Sequence, residues 1–204
     1  RLELRRRHVD PADLRDYQRL LSALLYPGPT LRAPPEVLAA NQLGQPGLWG
    51  HGISGDYPVL LARVDEQEEL QLVSDLVRAH GYWRRRGVKV DVVILNARGT
   101  GYSQELQGRL RWLLSRTGGD DWLDARGGIF LLREDQLAPQ DLTLLRSVAR
   151  VILDADAGPL SRQLDRLWHA SDLLPPLRAS DPDADHGAAA PPVARPEGLA
   201  FDNG

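Results

Sequence analysis

VLLARVDEQEELQLVSDLVRAHGYWRRRGVKVDVVILN, residues 59–96, decides the fold. It opens on a short apolar run, VLLARV, and closes on another, KVDVVILN. Between them Leu70, Val73, Leu76, Val77, His80 and Trp83 recur at the spacing of one helical face. Asp65 with Glu68 forms a capping box at the start of that helix. Gly87 suits its stop. Two near-continuous apolar strands joined by an amphipathic helix form the unit of a parallel sheet, because a strand covered on both faces needs no polar alternation.

The unit recurs downstream. Residues 103 to 116 read as a second helix through Leu106, Leu110, Leu113 and Leu114. GIFLLR, residues 128–133, reads as the third strand. Pro139 opens a helix with Leu142, Leu145 and Val148 inward, and RVILDAD, residues 150–156, is the fourth strand. A last helix spans Pro159 to Ala170. The expected fold is α/β: a small three-layer domain with a mainly parallel four-stranded sheet over residues 59–170. A helical lead precedes it over residues 1–58. Asp10 caps the lead's helix, which runs to Tyr26, and a short helix follows over Pro35 to Ala40. Residues 171–204, rich in Pro, Ala and Asp, read as a disordered linker and the start of a next module.

Bulk composition removes several function classes. The 204 residues carry 25 basic and 28 acidic side chains, a net charge of −3, which gives no reason to expect nucleic acid. No apolar run nears the roughly 18 residues of a membrane helix. Cysteine is absent, which excludes disulfides, thiolate zinc sites and cysteine nucleophiles. His8, His51, His80, His169 and His186 show no metal-ligand spacing, so no metal and no cofactor is expected. His80 sits on an apolar helix face as a packed core histidine. Methionine is absent, including at position 1, so the chain is expected to be an internal segment of a larger protein.

The segment GLWGHGISGDYP, residues 47–58, carries the densest chemistry. It has no Lys-Ser/Thr pair for a phosphate loop, and its glycines precede a strand rather than follow one, against the dinucleotide fingerprint. It lacks the spacing of a nucleophile elbow, and His51, Ser54 and Asp56 are too close in sequence for a triad built from separate loops. Carbohydrate fits better: Trp49 to stack on a sugar ring, and His51, Ser54 and Asp56 to bond hydroxyls. The plainer alternative is a glycine-rich turn in which Trp49 anchors the domain junction. A pure scaffold would bury Trp49 against the first helix.

A second candidate pocket lies where ligands bind in open parallel sheets, beyond the carboxyl ends of the strands: Asn96, Arg98, Asp154 and Asp156. Helix capping and turn chemistry are the competing account of these residues. A free-standing enzyme there requires Asn96 and Asp154 to converge on one substrate. Asp120, Asp121 and Asp124 read as a solvated loop rather than paired catalytic carboxylates. Arg84, Arg85 and Arg86 suit a helix C-terminus.

In order along the chain, YQRLLSALLYPGPTLRA, NQLGQPGLWGHGISGDYPVLLARV, LVRAHGYWRRRGVKVDVVILN, GIFLLREDQLAPQDLTLLRSVARVILD and the terminal PEGLAFDNG resemble the cyclic β-1,2-glucan synthases. GISGD and DVVILN are the most specific stretches. The resemblance implies a very large bacterial inner-membrane parent. Such a parent joins a glycosyltransferase using UDP-glucose to a C-terminal region similar to family 94 glycoside phosphorylases, which sizes the glucan by phosphorolysis. This segment would be a soluble, cytoplasmic, non-catalytic or accessory module of that region. Its partners would be other modules of the same parent chain and β-1,2-glucan, without nucleic acid and without membrane contact of its own. No catalytic residue carries over, and GISGD carries over as a family hallmark only.

Overall fold

A computed structural model describes residues 11–65, 70–99 and 102–171, with side chains to 167. The chain falls into two units, Arg1–Leu173 and Leu174–Gly204. The second unit, Asp10 and the Glu68 half of the capping box lie outside the described residues.

In chain order the elements are α1 (Pro11–Leu25), α2 (Pro35–Ala40), α3 (Pro46–Trp49), β1 (Val59–Val64), α4 (Leu70–Arg84), β2 (Asp91–Asn96), α5 (Ser103–Thr117), β3 (Ile129–Arg133), α6 (Pro139–Val148), β4 (Ala149–Asp154) and α7 (Leu160–Ser171). Proline stands at the first turn of α2, α3 and α6, where its missing N–H leaves no bond unmade. Gly118, at φ 80°, closes α5 by donating its N–H to Leu114. A left-handed C-cap of this kind favours glycine.

The four strands form one all-parallel sheet in the order β3-β2-β1-β4. The chain steps outward from β1 through β2 to β3, then crosses back to place β4 on the far side of β1. The β1–β4 register slips between Val59 and Leu60, so Ala149 and Val151 pair in succession and Arg150 is skipped. Arg150 instead reaches out to donate to the Leu24 carbonyl at 3.2 Å.

Side chains alternate across each strand, and the alternation sorts the core into two. Leu60, Ala62, Val64, Val92, Ile94, Val151 and Leu153 face one side, against α1, α4, α5 and the start of α7. Val59, Leu61, Val93, Leu95 and Phe130 face the other, against α6 and against Leu48 and Ile53 of the glycine-rich segment. Helix, sheet and helix make the expected three layers. The helical lead shares its core with the strands: Tyr17, Leu20 and Leu24 of α1 are buried in the first cluster and Leu48 in the second. Trp83 ties the two together by donating its indole N–H to the Tyr17 carbonyl at 3.1 Å.

Candidate functional site

The two candidate pockets lie at opposite ends of the sheet. GLWGHGISGDYP runs into Val59 at the amino end of β1, whereas Asn96 and Asp154 close the carboxyl ends of β2 and β4.

At the amino end, Gly52 and Gly55 both take φ 75°, which reverses the chain twice in four residues and drives Ile53 into the core. A side chain at Gly55 would also meet Gln45 Cγ at 2.8 Å. Trp49, by contrast, is 61% exposed. The scaffold expectation of a buried Trp49 packed on α1 is therefore corrected. Buried Leu48, one residue earlier, fills the inward position, and a four-residue helix cannot turn both side chains to the core. The Trp49 indole N–H donates to the Ser54 carbonyl at 3.3 Å, and Gln45 Nε2 donates to the same oxygen at 2.7 Å. Ser54 Oγ accepts from the Asp56 N–H, and the Asp56 carboxylate pairs with Arg126. Trp49, Ser54 and Asp56 thus form one braced turn. His51 stands apart from it, with Nε2 3.5 Å from Asp141 of α6.

At the carboxyl end the four predicted residues do not converge. Asn96 is fully buried on the α5 side of the sheet. Its Nδ2 donates to the Ser103 carbonyl at 2.7 Å and to Gln107 Oε1 at 3.1 Å, and its Oδ1 accepts the Arg98 N–H at 3.1 Å. That is turn chemistry with every polar atom engaged. Arg98 lies against the Tyr102 ring at 5.1 Å. Asp154 alternates with Leu153 and so falls on the opposite face, the α6 side, and Asp156 is exposed. The groove that Asp154 lines does not include Asn96.

Asp154 belongs to a cluster that sequence reasoning missed. Arg63, the penultimate residue of VLLARV, lies 2.9 Å from Asp65, 3.5 Å from Asp154 and 4.0 Å from Glu134. Burial works against its charge, but Asp154, Asp65 and Glu134 outweigh burial and hold the guanidinium pKa above its ordinary value. Burial, opposed by Arg63 and reinforced by Asp156, raises that of Asp154. The signal in the sequence was the lone Arg in an otherwise apolar strand, which needs acidic neighbours to be tolerated there.

A second missed feature is a groove of about 800 Å³ between α1, α4 and the turn after α5. Trp122, half-buried, forms part of its wall, with the Arg84 guanidinium 3.9 Å above its ring. His80 lies at its base, buried as expected, with Nε2 2.8 Å from the Gly127 carbonyl. A carbonyl only accepts, so Nε2 carries the proton. Burial, set against the Gly127 bond, lowers the His80 pKa and keeps the ring neutral.

These features define the class: an all-parallel α/β module in which Trp49, Ser54, Asp56 and Asn96 are engaged in hydrogen bonds or ion pairs of its own. No protein-family model matches it. The chain is similar to part of the cyclic β-(1,2)-glucan synthase NdvB of Rhizobium meliloti (strain 1021), with 31% identity over 196 residues, covering 89% of this chain. It spans 7% of that relative's length. Among solved structures, the universal stress protein from Archaeoglobus fulgidus shares 21% identity with a TM-score of 0.27, over 48% of this chain and 74% of that one. No helix among the described residues is long and apolar enough to cross a membrane.

Proposed function

We propose that this chain serves as a non-catalytic, accessory module of a cyclic β-1,2-glucan synthase, packing against other modules of that protein and holding glucan at the turn around Trp49. The observation that carries the reading is the similarity to NdvB along nearly the whole chain, which amounts to a small part of that synthase. The geometry favours a supporting role over chemistry. The polar side chains of the turn brace one another, and Asn96 and Asp154 face opposite sides of the sheet. The exposed Trp49 ring, fixed by its bond to Ser54, offers an ordered apolar face to a sugar.

Two measurements test this. The 204-residue chain is incubated with β-1,2-glucan and phosphate, and separately with UDP-glucose and a glucan acceptor. No glucose 1-phosphate and no elongated glucan are expected; release of glucose 1-phosphate overturns the non-catalytic reading. Titration with β-1,2-linked gluco-oligosaccharides, followed by tryptophan fluorescence, should saturate and weaken about tenfold in Trp49→Phe, the loss of one well-placed stacking contact. An unchanged affinity in that variant removes the turn from the glucan site.

A further inference from the structure

The groove between α1, α4 and residues 117–122 holds one buried hydrogen-bonding atom that the described residues leave unmet. His80 is 1% exposed, its Nε2–H is committed to Gly127, and its Nδ1 has no partner among the described residues. A neutral imidazole nitrogen without a proton is an acceptor, so what it lacks is a donor. Buried polar atoms are seldom left this way, because the lost bond costs stability. Around the groove stand the carboxylates of Asp13 and Asp121, the guanidinium of Arg85 and the indole of Trp122, with Asp121 and Arg85 open to solvent. Tyr17 also lines the groove. Burial and the nearby Asp13 push its phenol up to about 12, so it stays protonated.

We propose that this groove binds a neutral, polyhydroxylated ligand, a short carbohydrate, with Trp122 as its stacking platform and His80 Nδ1 as the acceptor for one ligand hydroxyl. The lining mixes acceptors, Asp13, Asp121 and His80 Nδ1, with donors, Arg85 and the Trp122 indole N–H, a mixture that suits a polyol better than a simple anion or cation. A volume of about 800 Å³ lies within the range of small-molecule sites. Nδ1 is closed to solvent in the unliganded protein. Arg84 supplies the way in. It lies over Trp122 and shares the Gly127 carbonyl with His80 Nε2 through a 3.3 Å bond, so a sugar ring that stacks on Trp122 takes the place of the guanidinium and reaches His80 as Arg84 moves. This site lies away from Trp49 and does not depend on the role proposed for the turn.

The test is titration of the 204-residue chain with a β-1,2-linked glucotetraose and, in parallel, with maltotetraose, followed by calorimetry. The ¹⁵N resonance of His80 Nδ1 is recorded at each point. Binding should shift that resonance, since a lone pair that gains a hydroxyl hydrogen changes its shielding. Trp122→Leu should lower affinity at least tenfold, while Trp49→Phe leaves the Nδ1 response in place. Preference for one tetraose or response to both would distinguish a selective site from a general carbohydrate groove, and either supports the proposal. Saturable binding with a silent Nδ1, binding lost in Trp49→Phe but kept in Trp122→Leu, or no heat with either sugar at millimolar concentration overturns it. None of these three results bears on whether the chain lacks catalysis, which the glucose 1-phosphate assay decides separately.

Discussion

Asp91 begins β2 with its side chain fully buried, and one carboxylate oxygen accepts the Gly127 N–H at 2.7 Å while the other has no hydrogen-bond partner among the described residues. Burial raises its pKa from 3.8 to about 6, against the opposing pull of the Gly127 and Gly128 amides. The folded protein therefore holds this proton more tightly than the unfolded chain. The group's contribution to stability is greatest at low pH and is lost as pH rises through about 6. A shift of this size corresponds to about 3 kcal/mol. Asp91→Asn cannot titrate. The gap between wild-type and variant unfolding free energies should therefore move by about 2.5 kcal/mol between roughly pH 4 and pH 7, in the variant's favour at the higher pH. Chemical denaturation across that range checks it. His80, on the other side of Gly127, works in the opposite sense: its lowered pKa removes stability as pH falls through 6.5, where the unfolded chain gains a proton that the buried ring refuses. The His80 burial was legible from helical spacing. Asp91 was not, because nothing local to KVDVVILN shows that Gly127 will arrive to meet it.

Among the elements, α7 packs Leu160 and Leu164 into the core that Val151 and Leu153 of β4 share, and one described side chain hydrogen-bonds it to β4. Gln163, 2% exposed, donates to the Asp154 carbonyl at 2.7 Å and to the Gly158 carbonyl at 2.8 Å, and accepts the Asp154 N–H at 3.2 Å. It acts as a surrogate strand for the last residue of β4. Gln163→Leu keeps the volume but leaves three backbone groups unmet, and should cost about 2–4 kcal/mol in denaturant unfolding. The substitution Arg166→Gln on the exposed face of the same helix should cost under about 0.5 kcal/mol. The strands and helices themselves were readable from the chain because Leu76, Leu110, Leu145 and their neighbours keep strict period, and apolar runs such as DVVILN have one use. The exposure of Trp49 was not readable. Leu48 and Trp49 are equally good candidates for the inward position, and only the double turn at Gly52 and Gly55 settles which one points inward. The Arg63 cluster needed residues from the ends of three strands to be brought together, and sequence distance conceals that.

At the scale of the whole molecule, the order β3-β2-β1-β4 depends on a return crossover that passes over two strands, which periodicity does not encode. Its energetic consequence is cooperativity. Val151 and Leu153 complete the core that α1 and α4 cover, and Ala149 completes the other. A chain ending at Val148 loses β4 and α7 together, exposes both flanks of that core and should show no cooperative thermal transition by circular dichroism. The same chain carried through the end of α7 should unfold in a single step.

The position of β1 also sets a timetable. It lies at the centre of the sheet, yet it is the first strand to be made, and one of its two neighbours is the last. While the chain emerges from the ribosome, β1, β2 and β3 can pair with the helices between them already in place. The open side of β1 must then stay unpaired until Ala149–Asp154 follows. An unpaired hydrophobic strand edge is a template for adhesion to other nascent chains. The interval between β1 and β4 is therefore the period in which this protein most needs a chaperone, and slowing translation across residues 97–148 should lower its soluble yield more than slowing it anywhere else.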